Sequence, residues 1–149
     1  MDVASLRHLI AAIREKAPEW RLILFGSASS LASFPDLGDS EGWIRKSNDA
    51  DFILDPWDDT LALDIHNVVG LEKSYDRATG HHADIVRPIA YENFPPGWQD
   101  RLVPLEGCPG VFCLEPHDMA VAKLFAGRPK DIGLLTDLIR MGRLDPVEV

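Results

Sequence analysis

Asp49 and Asp51 stand one residue apart in Ser47-Asn-Asp-Ala-Asp-Phe-Ile-Leu54, where a polar stretch becomes a strand entering a core. Side chains at i and i+2 of a strand leave the same face, so both carboxylates can reach one divalent cation. A doubly negative strand end beside apolar residues is costly unless a cation, Arg or Lys answers it. Upstream, the apolar run Leu22-Ile-Leu-Phe25 leads straight into Gly26-Ser27. A Gly-Ser bend after a strand offers backbone N–H groups and a hydroxyl to a phosphate at a helix start. The ordinary readings are a solvated sheet edge for the aspartates, and a tight turn with Ser27 as helix N-cap for the bend. Together the two segments describe a site for a metal–triphosphate complex.

The 149 residues are expected to form one domain with a genuine core. A hydrophobic content of 46% fits a globular chain. A formal charge of −9 argues against general coating of nucleic acid, which needs clustered Lys and Arg. No apolar run has the length of a membrane span, and Met1-Asp2 opens no cationic-then-apolar leader. Cys108 and Cys113 are the only cysteines, too few for a Cys-rich zinc site or a disulfide framework. The expectation is a cytoplasmic protein with both thiols reduced.

Leu6, Leu9, Ile10 and Ile13 recur at helical spacing, and Pro18 closes that pattern. Arg21 to Phe25 reads as a buried strand, Ala28 to Ala32 as a short helix, and Asp36 to Ser47 as a surface loop or small hairpin. Ala50 to Leu54 is a strand stopped by Pro56. Leu61, Ile65, Val68 and Val69 mark a helix begun near Asp58 or Asp59 and ended by Gly70. Leu71–Arg77 and Ala83–Pro88, around Thr79-Gly80, predict a β-hairpin. Short strands follow at Arg101–Leu105 and Val111–Leu114. The chain then turns helical: Met119, Ala120, Lys123 and Leu124 up to Gly127, and Pro129 to Met141 with Ile132, Leu135, Leu138 and Ile139 facing inward. Leu144-Asp145-Pro146 reads as one more helix start. The fold class is α+β, a mixed β-sheet flanked by helices with a C-terminal helical pair.

Asp84, in the alternating His81-His82-Ala83-Asp84-Ile85-Val86, becomes a third carboxylate on the same side if its strand pairs beside Ala50–Leu54. Otherwise it is an edge-strand acid. Three carboxylates suit two-metal phosphoryl transfer. His81 and His82 are adjacent and face opposite ways, so they do not share an ion. His81 reads as a loop-end residue and His117 as a capping or packing residue, and no histidine receives a catalytic role. Lys123, Arg128 and Lys130 form a local cation cluster in an acidic protein. It pairs with Asp131, Asp137 or Glu115, or it neutralises nucleotide phosphates.

On Phe25-Gly26-Ser27, Asp49-Ala50-Asp51, Ala83-Asp84-Ile85-Val86 and the tail from Glu115 to Asp131, the chain resembles the DNA polymerase β-like nucleotidyltransferase superfamily. It is most similar to the small bacterial and archaeal branch that includes abortive-infection-type nucleotidyltransferase toxins. The resemblance implies a single nucleotidyltransferase-like domain over 1–149, with the catalytic sheet in about 1–114 and a helical tail in about 115–149. It implies that Gly26 and Ser27 hold nucleotide phosphates, that Asp49 and Asp51 bind Mg2+ (or Mn2+), and that Asp84 completes the metal site or deprotonates the acceptor. Lys123 would steady the triphosphate, with Arg128 and Lys130 beside it. The implied reaction moves a nucleoside monophosphate from an NTP to a hydroxyl, releasing pyrophosphate. The resemblance further implies a tRNA end, a protein side chain or a small molecule as acceptor, and a role as the toxin-like half of a two-component module with a protein partner.

Two departures accompany the resemblance. Residues 28–48, 21 in number, separate the bend from the aspartates, longer than the usual spacing, so 36–47 bulges out as a lid or a partner-contacting loop. The chain also has little room for an acceptor-choosing domain. Two other classes use the same residues: a non-catalytic module of this fold or an antitoxin-like partner protein, and a metal-dependent nuclease or phosphohydrolase.

Overall fold

The computed structural model describes residues 1–39 and 41–147. Helix α1 (Val3–Arg14) starts where the Asp2 carboxylate accepts a hydrogen bond from the Ser5 amide at 2.7 Å, filling one of the donors a helix start leaves open. Its apolar face, Leu6, Leu9, Ile10 and Ile13, is buried. Strand β1 (Arg21–Phe25) follows, with Leu22, Ile23 and Leu24 inside the core.

The chain then makes two 3-10 turns, Ser27–Ala32 and Pro35–Gly38, and a four-residue helix α2 (Trp43–Lys46). The expected loop or hairpin at 36–47 is therefore helical over these spans. Pro35 opens one turn, and Ile44 anchors α2 by being buried. Ser40 lies outside the described residues.

Strand β2 (Asp49–Asp55) pairs antiparallel with β1. Helix α3 (Asp59–Val69) is capped by Asp58, whose carboxylate accepts from the Leu61 amide at 2.9 Å. Leu71–Arg77 forms no strand. Helix α4 (Ser74–Thr79) occupies most of it and ends at Gly80 in the left-handed conformation. The hairpin expectation fails because α4 buries no side chain: this segment had no apolar face to give a sheet. Strand β3 (His82–Ile85) instead pairs parallel with β2, the two joined by a crossover through α3 and α4. Thr79-Gly80 is a helix end rather than a hairpin turn.

Past two further 3-10 turns (Pro88–Asn93 and Trp98–Arg101) come strands β4 (Val103–Pro104) and β5 (Val111–Cys113). They complete a five-stranded sheet of order β3-β2-β1-β5-β4, with β5 parallel to β1 and β4 antiparallel to β5. Helices α5 (Pro116–Ala126) and α6 (Pro129–Arg140) pack together as the C-terminal pair. On α6 the inward residues are Asp131, Leu134, Leu135 and Leu138, while Ile132 and Ile139 are exposed. The expected inner face was rotated because it left out Asp131, the acid that the core accepts. Residues 146–147 form a turn, and the helix start expected at Leu144-Asp145-Pro146 would continue into 148–149, which lie outside the described residues. Among the described residues no helix is long and apolar enough to cross a membrane.

Candidate active site

Strand β2 alternates across the sheet at its N-terminal end. Ala50 and Phe52 are buried, whereas Asp49 and Asp51 leave the other face and keep partial exposure. Parallel register sets Asp49 beside His82 and Asp51 beside Asp84. Partners in a register point to the same side of a sheet, so four chemistry-bearing side chains stand together. One ligand atom from each of Asp49, His82 and Asp84 lies within 4.8 Å of the others. The Asp84 carboxyl also interacts with those of both Asp49 and Asp51. Asp84 thus faces the aspartate pair rather than standing as a lone edge acid.

Crowding is visible in the proton affinities. Burial pushes the Asp51 carboxyl up to about 7, assisted by Asp49 and Asp84 and opposed by Lys123 and Arg128. Asp84 is also raised, first by burial and then by Asp49, while His82 pulls it back. Carboxylates this close hold on to protons unless a cation takes their place. Oxygen donors with an imidazole beside them are a donor set that accepts Mg2+ or Mn2+, so the residues fit the ion.

The bend closes on this group from β1. Phe25 pairs with Asp51, and the next residue, Gly26, takes φ +73°, a conformation that L side chains rarely adopt. A Cβ at Gly26 would lie 2.4 Å from Asp51 Oδ2. Gly26, not Ser27, occupies the cap position, and Ser27 is the first residue of the 3-10 turn; the expectation of Ser27 as N-cap is corrected accordingly. The fully buried Ser29 and Ser30 hydroxyls donate to the Gly26 and Ser27 carbonyls, each at 2.7 Å, which turns those carbonyls inward and fixes the bend.

Ser27, Asp49 and Asp51 line a cleft of about 330 Å³ together with Lys123, Arg128 and Lys130. Lys46 is a fourth cation on this cleft; among the predicted ones, Lys123 is buried and donates to Asp131 Oδ1 at 2.9 Å. Arg128 donates to both Asp131 oxygens, at 2.8 and 3.3 Å. Burial raises the Asp131 carboxyl, and the bonds from Arg128 and Lys123 outweigh it, so the group ends below the usual range. Pairing with Asp131 is therefore real, and it coexists with a place on the cleft wall. Lys130 is exposed at the rim.

Two contributors went unread in the sequence. His82 sits between Asp84 (Nε2 to Oδ1, 3.7 Å) and Asp76 (Nδ1 to Oδ1, 3.9 Å). The signal for it in the sequence is the His-x-Asp spacing, which puts His82 on the Asp84 face of the strand. Trp43, from the 36–47 segment, lines the cleft as well. Glu115, not His117, is the cap of α5, and His117 sits in the first turn between Glu115 and Asp145. Its amide and Nδ1 bond to Glu115, and its Nε2 accepts from the Asp145 amide.

A family described as a nucleotidyltransferase of unknown function (DUF6036) matches residues 2–145. No curated protein and no solved structure matches the chain.

Proposed function

The chain belongs to the DUF6036 family of nucleotidyltransferases, and from that membership we propose a divalent-cation-dependent enzyme that transfers a nucleoside monophosphate from an NTP to a hydroxyl. On this reading it is a DNA polymerase β-like transferase of minimal build, similar to abortive-infection-type toxins and working as the toxin-like half of a two-component module in the cytoplasm. The observation that carries the proposal is the packing of Gly26 against the carboxylate of Asp51, which lines one cleft with Ser27, Lys123 and Arg128. A phosphate-accepting bend, carboxylates and cations then face one space.

Asp49 and Asp51 would hold the ion, with Asp84 completing the set. Bound there, Mg2+ or Mn2+ supplies positive charge to the triphosphate and lowers the pKa of the attacking hydroxyl. Gly26 and Ser27 hold phosphate oxygens through N–H and hydroxyl donors. Arg128 and Lys130 neutralise phosphate charge, and Lys123 does so from the cleft wall while tied to Asp131. The acceptor oxygen bonds to the α-phosphorus, the bond from that phosphorus to the β-bridging oxygen breaks, and pyrophosphate leaves. The hydroxyl proton goes to Asp84 where that carboxylate serves as the base instead of the third ligand.

The test is incubation with labelled NTPs, Mg2+ or Mn2+ and cell extract, followed by sorting the label into RNA, protein and small-molecule fractions. Label entering one fraction, and lost in the Asp49→Asn/Asp51→Asn variant, is the expected result. Release of nucleic-acid fragments without NTP consumption would instead identify a nuclease. If no NTP raises the melting temperature with Mg2+ present, a non-catalytic module takes its place.

A further inference from the structure

We infer that Trp43 is the surface on which the base of the bound nucleotide stacks, and that the cleft therefore takes purine nucleoside triphosphates in preference to pyrimidine ones. The inference rests on the nucleotide reading above and gives that site its base selectivity.

Trp43 is 44% exposed, although an indole is among the most favourable side chains to bury. It opens α2, six residues before Asp49, and lines the same cleft as Ser27, Asp49 and Asp51. Its place is held from two sides. The next residue, Ile44, is buried in the core. The ring lies against α6 at Gly133, where a Cβ would stand 2.6 Å from Cζ2 and 3.0 Å from Cε2. Glycine in a helix interior disfavours the helix; at Gly133 it admits the indole onto the backbone. A flat, braced, solvent-facing aromatic beside a phosphate-binding region is what base stacking requires, since every base has a π-face.

Two polar residues between the ring and the strand, Lys46 and Asn48, line the cleft as well. An Asn amide offers both a donor and an acceptor to a base edge or ribose. The cleft volume of about 330 Å³ falls at the lower end of small-ligand sites. The larger ring of a purine covers more of an indole than a pyrimidine does, which sets the direction of preference.

The experiment compares the Mg2+ complexes of ATP, GTP, CTP and UTP with Mg2+–tripolyphosphate, which has the phosphates and no base. Dissociation constants are measured for the native chain, Trp43→Ala, Trp43→Phe and Gly133→Ala. ATP or GTP should bind the native chain more tightly than tripolyphosphate. Trp43→Ala should weaken that binding about 10- to 100-fold and leave tripolyphosphate unchanged. Trp43→Phe should retain most of the affinity, and Gly133→Ala should lose part of it by displacing the ring. Indole emission should be quenched by ATP in the native chain and not in Trp43→Phe. Equal binding of purine triphosphates by the native chain and the folded Trp43→Ala, or by the native chain and Gly133→Ala where Trp43→Ala does not fold, with tripolyphosphate still bound, overturns this inference and leaves the proposed function standing. Binding of neither tripolyphosphate nor any NTP overturns both.

Discussion

Gly26 and the carboxylate of Asp51 are in direct apposition: a methyl group at position 26 would stand 2.4 Å from Asp51 Oδ2. Gly26→Ala is therefore expected to act twice. The backbone at φ +73°, ψ −164° would cost about 1–3 kcal/mol with a side chain present, and Asp51 would have to move. Divalent-cation affinity should fall at least tenfold, measured by titration calorimetry, in a chain that remains folded. Unchanged cation binding would show that the apposition has no part in holding the ion.

The proton affinity of Asp51 gives stability a definite pH dependence. Its folded value of about 7 exceeds the ordinary carboxylate value of 3.8, so the native state holds a proton that the unfolded chain releases. The contribution is fully present below about pH 4 and is lost as pH rises through about 7. Without divalent cations, Asp51→Asn should raise stability near pH 8 by about 1–3 kcal/mol, since partial opening to the cleft moderates the full shift. Urea unfolding at pH 5 and pH 8 measures the difference. With cation present the order reverses, because deprotonated Asp51 is then the binding form.

Asp131 neutralises a buried ammonium. Asp131→Asn would leave Lys123 charged inside the protein without its 2.9 Å partner, a loss of about 3–5 kcal/mol. Lys123→Met in the same chain should recover much of it. Because the Asp131 carboxyl is held below its usual range, its contribution is present above the unfolded value near 3.8 and is lost as pH falls through the folded one. Denaturant curves of the single and double variants at neutral and acid pH test both statements.

His82 is expected to tilt metal preference. An imidazole beside two carboxylates favours Mn2+ or Co2+ over Mg2+. His82→Ala should weaken Mn2+ binding about tenfold and change Mg2+ binding much less. Competition titrations, or the visible spectrum of the Co2+ form, give the comparison. Equal losses for Mn2+ and Mg2+ would remove His82 from the ligand set.

Much of the arrangement was legible in the chain. Strand β2 was readable because Asp-x-Asp runs into Phe52-Ile53-Leu54, and β1 because four apolar residues end at a glycine. The meeting of Asp84 with Asp49 and Asp51 required only that its strand lie beside β2. What could not be read was the direction of that pairing. Thr79-Gly80 serves equally well as a hairpin turn or a helix end, and a parallel crossover leaves no local signature in either strand. His82 was missed for a related reason: its partner Asp49 is 33 positions away in sequence and becomes a neighbour only through the register. The 36–47 segment reads as loop because its helices are one turn each, too short for an amphipathic period. The acid on the buried face of α6 was invisible to hydrophobic patterning, since its justification is a lysine on another helix.

Asp84 reaches the acidic group on a strand delivered by α3, which packs on β3 through a face that includes the fully buried Ile65 and Val69. A slip of one residue there would turn Ala83 outward and the acid into the core. Alignment of the reacting groups is thus entrusted to hydrocarbon contacts remote from the cleft. A methylene trimmed from Ile65 would be felt first as lost turnover, while the chain still melted cooperatively.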